Sequence, residues 1–211
     1  MYSIKINEIW AYMISQNVLF WLINIYLFLE YVRPQTLYPM LDILPYAKIT
    51  LILTLGLFFL QGNIVLVKNT ENKLLCVFFI VIVLSSLKAL SPSTAFKYLP
   101  EFIAWVVIYF LIINVINTEK RFFVFMLFFL LFSFKMSQFS FRNWALGGFG
   151  FHIHGSGGGP GWFKNSGEFG IQMCIFLPLS GYFYFALRNH WSKWKKGFFA
   201  LFPLTALTGI I

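Results

Sequence analysis

Two uninterrupted apolar runs, CVFFIVIVL from Cys76 to Leu84 and FFVFMLFFLLF from Phe122 to Phe132, limit what this chain can fold into more than anything else in it. A strand of a membrane barrel alternates lipid-facing apolar residues with polar ones, and these runs do not alternate. In hydrocarbon the remaining way to satisfy every backbone N–H and C=O within one segment is the α-helix. A helix needs roughly 17 to 25 apolar residues to cross. Seven stretches approach that length, near 14–32, 49–67, 74–90, 102–116, 122–139, 169–187 and 197–211, and the second could equally begin near Pro45. The expectation is an all-α polytopic transmembrane helical bundle of about seven spans, forming one membrane domain over residues 1–211.

Composition supports that solvent. The chain has 59% hydrophobic and 11% charged residues and 28 Phe, with a mean hydropathy of +0.76, whereas a soluble domain carries roughly 25% charged residues. The residues before the first span include Lys5, Asn7 and Glu8, and no small-residue cleavage site follows that span, so it is expected to remain as an anchor. Cys76 and Cys174 fall within apolar stretches, act there as small apolar residues, and receive no chemical role.

Lysine and arginine collect on the cytoplasmic side of short loops. The clearest cluster is RNHWSKWKK, Arg188 to Lys196; placing it inside puts the N-terminus, the Lys68 to Lys73 turn and the Glu119 to Arg121 turn inside as well. The formal charge of +9 then reads as a topology signal with affinity for anionic head groups, and no nucleic-acid partner is implied. Seven basic residues are left on the opposite face, namely Arg33, Lys48, Lys88, Lys97, Lys135, Arg142 and Lys164, together with Glu30, Asp42, Glu101, Glu168, His152 and His154. Lys48, Lys88 and Lys97 are explained equally well by snorkelling from helix ends.

Arg33 reads differently. In EYVRPQ it stands at the exit of the first span, Pro34 ends the helix, and Glu30 lies one turn back, placed to hold the guanidinium. A planar, permanently charged fork suits a phosphate or diphosphate. Lys135 lies deeper in an apolar run, where a charge faces a partner or a wet cavity or else snorkels outward. Residues 140–168 form a loop with eight glycines between Gly147 and Gly161, expected on the outer face. His152 and His154 form an HxH pair without a cysteine or carboxylate set to complete a zinc site, so no metal is assigned. Asn165 and Glu168 resemble a capping box at the start of the sixth span, a helix terminus that also attracts anions. GSGGGP lacks the lysine and hydroxyl ending of a phosphate-binding loop.

The order YLFLEYVRPQ, then LPYAKI, then GGGPGWFKNSGEFGIQMCIFLPL resembles the N-terminal half of the O-antigen ligase and polymerase family of bacterial membrane proteins. The resemblance implies a polytopic glycosyltransferase of the inner membrane, N-terminus cytoplasmic. Such an enzyme transfers a glycan at the periplasmic face from an undecaprenyl-diphosphate carrier to a lipid, saccharide or protein acceptor, with no cofactor. It also implies further spans and a large periplasmic loop beyond Ile211, so these residues are expected to form part of the working enzyme.

Metal-free transfer from a diphosphate needs fixed cations for the developing charge and a base for the acceptor hydroxyl. Arg33, Lys135 and Arg142 are the donor-diphosphate candidates, and Glu168, His152 or His154 the base. A transporter or lipid-carrier flippase is the competing class, since it too places charges in a membrane cavity. Its usual mark is a helix broken at mid-membrane, for which Pro178 is the candidate. A noncatalytic scaffold subunit is the third.

Overall fold

The computed structural model describes residues 2, 4–38, 40, 42–61, 67–150 and 165–210. Among them the chain is an all-α membrane bundle of nine helices and no strand: α1 (Ile6–Ile14), α2 (Val18–Tyr31), α3 (Pro34–Leu37), α4 (Tyr46–Leu60), α5 (Thr70–Leu87), α6 (Pro92–Val115), α7 (Glu119–Leu146), α8 (Ser166–Leu187) and α9 (Lys193–Leu207), with a 3-10 turn at Arg188–His190 between the last two. Four of them, α5 to α8, are long and apolar enough to cross a membrane, and α2 and α4 are shorter apolar helices.

Polar residues ahead of apolar runs set where helices begin. Asn17, Asn69, Thr118 and Asn165 each accept a backbone N–H of the following first turn, satisfying a donor the helix cannot satisfy itself. Pro34 and Pro92 open α3 and α6, where the missing N–H costs nothing. α4 starts directly after Pro45. Pro100, Pro178 and Pro203 lie inside α6, α8 and α9, each of which runs on through its proline.

Half of the apolar window of α7 is buried, against 6% for α5 and 11% for α6, which makes α7 the central helix and α5 and α6 peripheral. α2, α8 and α9 pack around α7, α4 lies against α2 and α6, and α5 lies on α6. Because lipid tails are as apolar as leucine, helices here associate by close packing and hydrogen bonds and not by escape from water. The α7–α9 contact shows both. Phe134 and Phe202 stack at 4.2 Å, while Ser137 and Thr205 share a hydroxyl bond at 2.7 Å and Ser140 donates to the Thr208 carbonyl at 2.9 Å. Along α8, Phe183 stacks on Phe123 at 5.7 Å.

These pairings fix direction: α9 runs parallel to α7 and α8 antiparallel, so the glycine-loop end carries the start of α8 and the close of α7. At the other end, Arg121 joins three elements. Its Nε donates to Gln16 Oε1 at 2.7 Å and an Nη to the Val115 carbonyl at 2.8 Å, and its guanidinium lies 5.7 Å from the Phe20 ring centre. The Trp191 indole N–H donates to the Tyr2 carbonyl at 3.0 Å, Lys195 Nζ to the Ile4 carbonyl at 2.8 Å, and the Tyr2 hydroxyl to Glu119. Residues the sequence assigned to one side of the membrane thus meet at one end of the bundle.

Candidate functional site

Helix α2 closes with the Val32 N–H on the Phe28 carbonyl, and Arg33 then enters the left-handed region at φ 45, ψ 69. For a side chain with a Cβ that conformation costs on the order of 1–3 kcal/mol and persists only where neighbours impose it. Pro34 helps to end α2 here, since its ring disfavours the ordinary helical region for the residue before it. The turn holds Arg33 at the glycine-loop end, where its guanidinium lies 3.6 Å from the Glu30 carboxylate. The two side chains are only 23% and 19% exposed, so the pair is largely withdrawn from solvent.

Next to this pair, three helices meet at Tyr31. Its side chain lies beside that of Gln172 on α8, and its ring meets Phe129 of α7 edge-on at 5.4 Å. One turn beyond Phe129, the Ser133 hydroxyl is fully buried; it and the Gln172 amide nitrogen are buried atoms without a hydrogen-bond partner among the described residues. An unsatisfied polar group in a membrane interior is costly, and such a pair marks a place for water or a polar ligand group. Sequence reasoning passed over Tyr31, Ser133 and Gln172. Gln172, a lone amide in the apolar stretch IQMCIFLPL, was the available signal.

Glu168 stands in the first turn of α8, exposed, one turn before Gln172, and Asn165 caps that helix by accepting the Gly167 N–H at 2.9 Å. The cap expected at Asn165 is present. Lys135 and Arg142 sit elsewhere on α7. Both are exposed and two turns apart, on the face opposite the buried stripe of Ser133, Ser137 and Ser140. Counted from Glu119 at 1.5 Å per residue, they lie about 24 Å and about 35 Å along the axis, towards and beyond the far edge of a hydrocarbon layer roughly 30 Å thick. The structure therefore brings Arg33, Glu30, Tyr31 and Gln172 together, with Glu168 one turn from Gln172. Lys135 and Arg142 share the glycine-loop end but point away from that junction. His152, His154 and Lys164, with most of the glycine loop, lie outside the described residues.

Among the described residues no group of three His, Cys, Asp or Glu side chains could hold a metal ion. An open, mostly apolar groove of about 520 Å³ between α5 and α6 is lined by Leu74, Phe78, Phe102 and Trp105, with Glu71 and Tyr109 as its polar members.

No family model, curated protein or solved structure shows significant similarity to this chain.

Proposed function

We propose that these residues belong to a membrane glycosyltransferase of the O-antigen ligase type, moving a glycan from a polyprenyl-diphosphate carrier to an acceptor hydroxyl at the outer face of a bacterial inner membrane. The reading rests on the motif resemblance, and the observation that supports it best is the Glu30–Arg33 pair, fixed at a strained turn where Tyr31 adjoins Gln172 of α8. Glu30 lies beside the guanidinium, a planar fork of the geometry that binds two phosphate oxygens at once.

In the proposed transfer the acceptor oxygen loses its proton to a base and forms the new glycosidic bond, while the anomeric C–O bond to the diphosphate breaks. The negative charge gathers on the leaving diphosphate, where Arg33 would meet it; Lys135 and Arg142, on the far face of α7, would act on it only through their field at that end. Glu168 is the base among the described residues, at a helix terminus whose partial positive charge also favours an anionic group nearby. His152 and His154 remain candidates for that role. The transporter reading draws no support from α8, which continues through Pro178 from Ser166 to Leu187.

The test is the amount of cell-surface polysaccharide, read by gel, in cells carrying variants of the full-length gene. Removing one donor aimed at developing charge costs on the order of a hundredfold in rate, so Arg33→Ala should nearly abolish transfer, and Arg33→Lys, which keeps the charge and loses the fork, should lower it while the protein still inserts. Wild-type polysaccharide in Arg33→Ala cells would overturn the donor-site assignment.

A further inference from the structure

The N-terminal helix α1 is tied down at both ends to the same end of the bundle. Ahead of it, the Tyr2 carbonyl accepts from Trp191 at 3.0 Å and the Ile4 carbonyl from Lys195 at 2.8 Å, while the Tyr2 hydroxyl reaches Glu119 at the start of α7. Behind it, Gln16 accepts from Arg121 at 2.7 Å, and the Trp21 indole donates back to the Met13 carbonyl at 2.9 Å. A helix of nine residues, about 13.5 Å long, anchored in this way lies across the end of the bundle and not along it.

Its surface is divided. Met13 is buried against the bundle, whereas Ile6, Trp10 and Ile14, spaced four apart and so on one stripe, are 80%, 59% and 62% exposed. Ala11 and Ser15 lie on the other side, with Glu8 next to them and paired to Lys5 at 3.0 Å. An apolar stripe this open is a poor surface for water. A second exposed indole, Trp194 at 87%, stands at the same end, and exposed tryptophans gather at the head-group level of bilayers. Exposed cations surround them: Lys5 before α1, Lys120 at the start of α7, Arg188 and Lys193 beside the last turn. The neighbouring acids are Glu8 and Glu119, already bonded to Lys5 and Tyr2.

We infer that α1 is a membrane-surface helix, with Ile6, Trp10 and Ile14 sunk into the head-group and acyl boundary and Lys120 and Lys193 against the phosphates of anionic lipids. Short helices of this make-up lie in the interface plane and bind through apolar burial plus attraction of nearby cations to anionic head groups. The occupant of the stripe is the bilayer, because the same end of the bundle supplies the cations and the indoles that a bilayer surface attracts. This assignment does not depend on the proposed transferase activity.

Spin labels on cysteines test it, in the full chain with Cys76 and Cys174 replaced by Ser, reconstituted into vesicles of equal parts phosphatidylcholine and phosphatidylglycerol. Labels at Ile6→Cys, Trp10→Cys and Ile14→Cys should collide severalfold more with dissolved oxygen, which concentrates in lipid, than with a water-soluble nickel chelate. Labels at Ala11→Cys and Ser15→Cys should show the reverse. In phosphatidylcholine alone the stripe should rise towards water, inorganic phosphate should not restore its depth, and Lys120→Gln with Lys193→Gln should cancel the effect of phosphatidylglycerol. Equal chelate access at all five positions would overturn the surface helix, and protection of the stripe from both probes would assign it to a protein contact instead. Depth unaffected by phosphatidylglycerol, or restored by inorganic phosphate, would overturn the anionic-lipid part.

Discussion

Gly209, just past the end of α9, sits where no side chain fits. A Cβ built there would lie 2.5 Å from Met173 Cγ and 2.9 Å from Phe169 Cε1 on α8. Contacts that short cannot stand, and neither neighbour has room to yield, because Met173 is 0% and Phe169 1% exposed. Gly209→Ala must therefore push α8 and α9 apart, or drive Met173 off its rotamer, at their most extensive contact. Overpacking of this kind typically costs about 1–3 kcal/mol. The estimate carries over to the membrane better than a large-to-small change would, since it is a steric term and does not depend on transfer out of water. Taking about 2 kcal/mol, the folded-to-unfolded ratio should fall about 30-fold. The assay is titration of the detergent-solubilised protein with sodium dodecyl sulfate, following loss of tertiary tryptophan signal. Met173→Ala removes the Cγ and Sδ atoms in the way, so Gly209→Ala combined with Met173→Ala should be more stable than the sum of the two single changes, the signature of a shared contact. A Gly209→Ala protein that unfolds with the wild type, or purely additive losses, would refute the steric argument. The same displacement moves the first turns of α8, which carry Glu168 and Gln172, so polysaccharide transfer should drop along with stability.

Arg121→Met should destabilise the bundle by about 2 kcal/mol or more, because it strips charged donors from Gln16 and the Val115 carbonyl; equal stability in the same titration would show those bonds to be dispensable. The Tyr2 strap should loosen in alkali: its phenol is pushed above the usual tyrosine value, first by the hydrogen bond to Glu119, then by desolvation and the carboxylate charge. A raised folded-state value means that this contribution is complete below the unfolded value of 10.0 and is lost as pH climbs through the folded one. Tyr2→Phe should lack this alkaline change in tryptophan emission, and an identical change in both proteins would exclude the strap as its source. Glu8, held down by its bond to Lys5, behaves with the opposite sign, keeping its contribution above 4.5 and losing it as pH falls through the lowered folded value.

The sequence by itself determined the fold class and the approximate place of each helix that approaches a spanning length. Continuous apolar runs leave the backbone no partner but itself, so CVFFIVIVL and FFVFMLFFLLF became α5 and part of α7 wherever the rest of the chain went. Local chemistry fixed several starts too, with Pro45 before α4 and Asn165 capping α8 as their residue types demand. Extents were less legible. α7 continues from Glu119 to Leu146, past the apolar stretch at 122–139, where Ser140 finds a partner in the Thr208 carbonyl at the close of α9 that no hydropathy window can see. α1 was hidden for the same reason: its polar residues break the apolar pattern, and it is held by bonds from Arg121, Trp191 and Lys195 that lie far away in sequence. At the candidate site, the Glu30–Arg33 pair was readable because its partners are three residues apart at the close of α2. The junction beside it was not, since Tyr31, Ser133 and Gln172 come from three helices. The facing of Lys135 and Arg142 was decided by which side of α7 its neighbours cover. Spacing along a chain sets which residues share a face; only the packing of other helices decides whether that face meets protein or lipid.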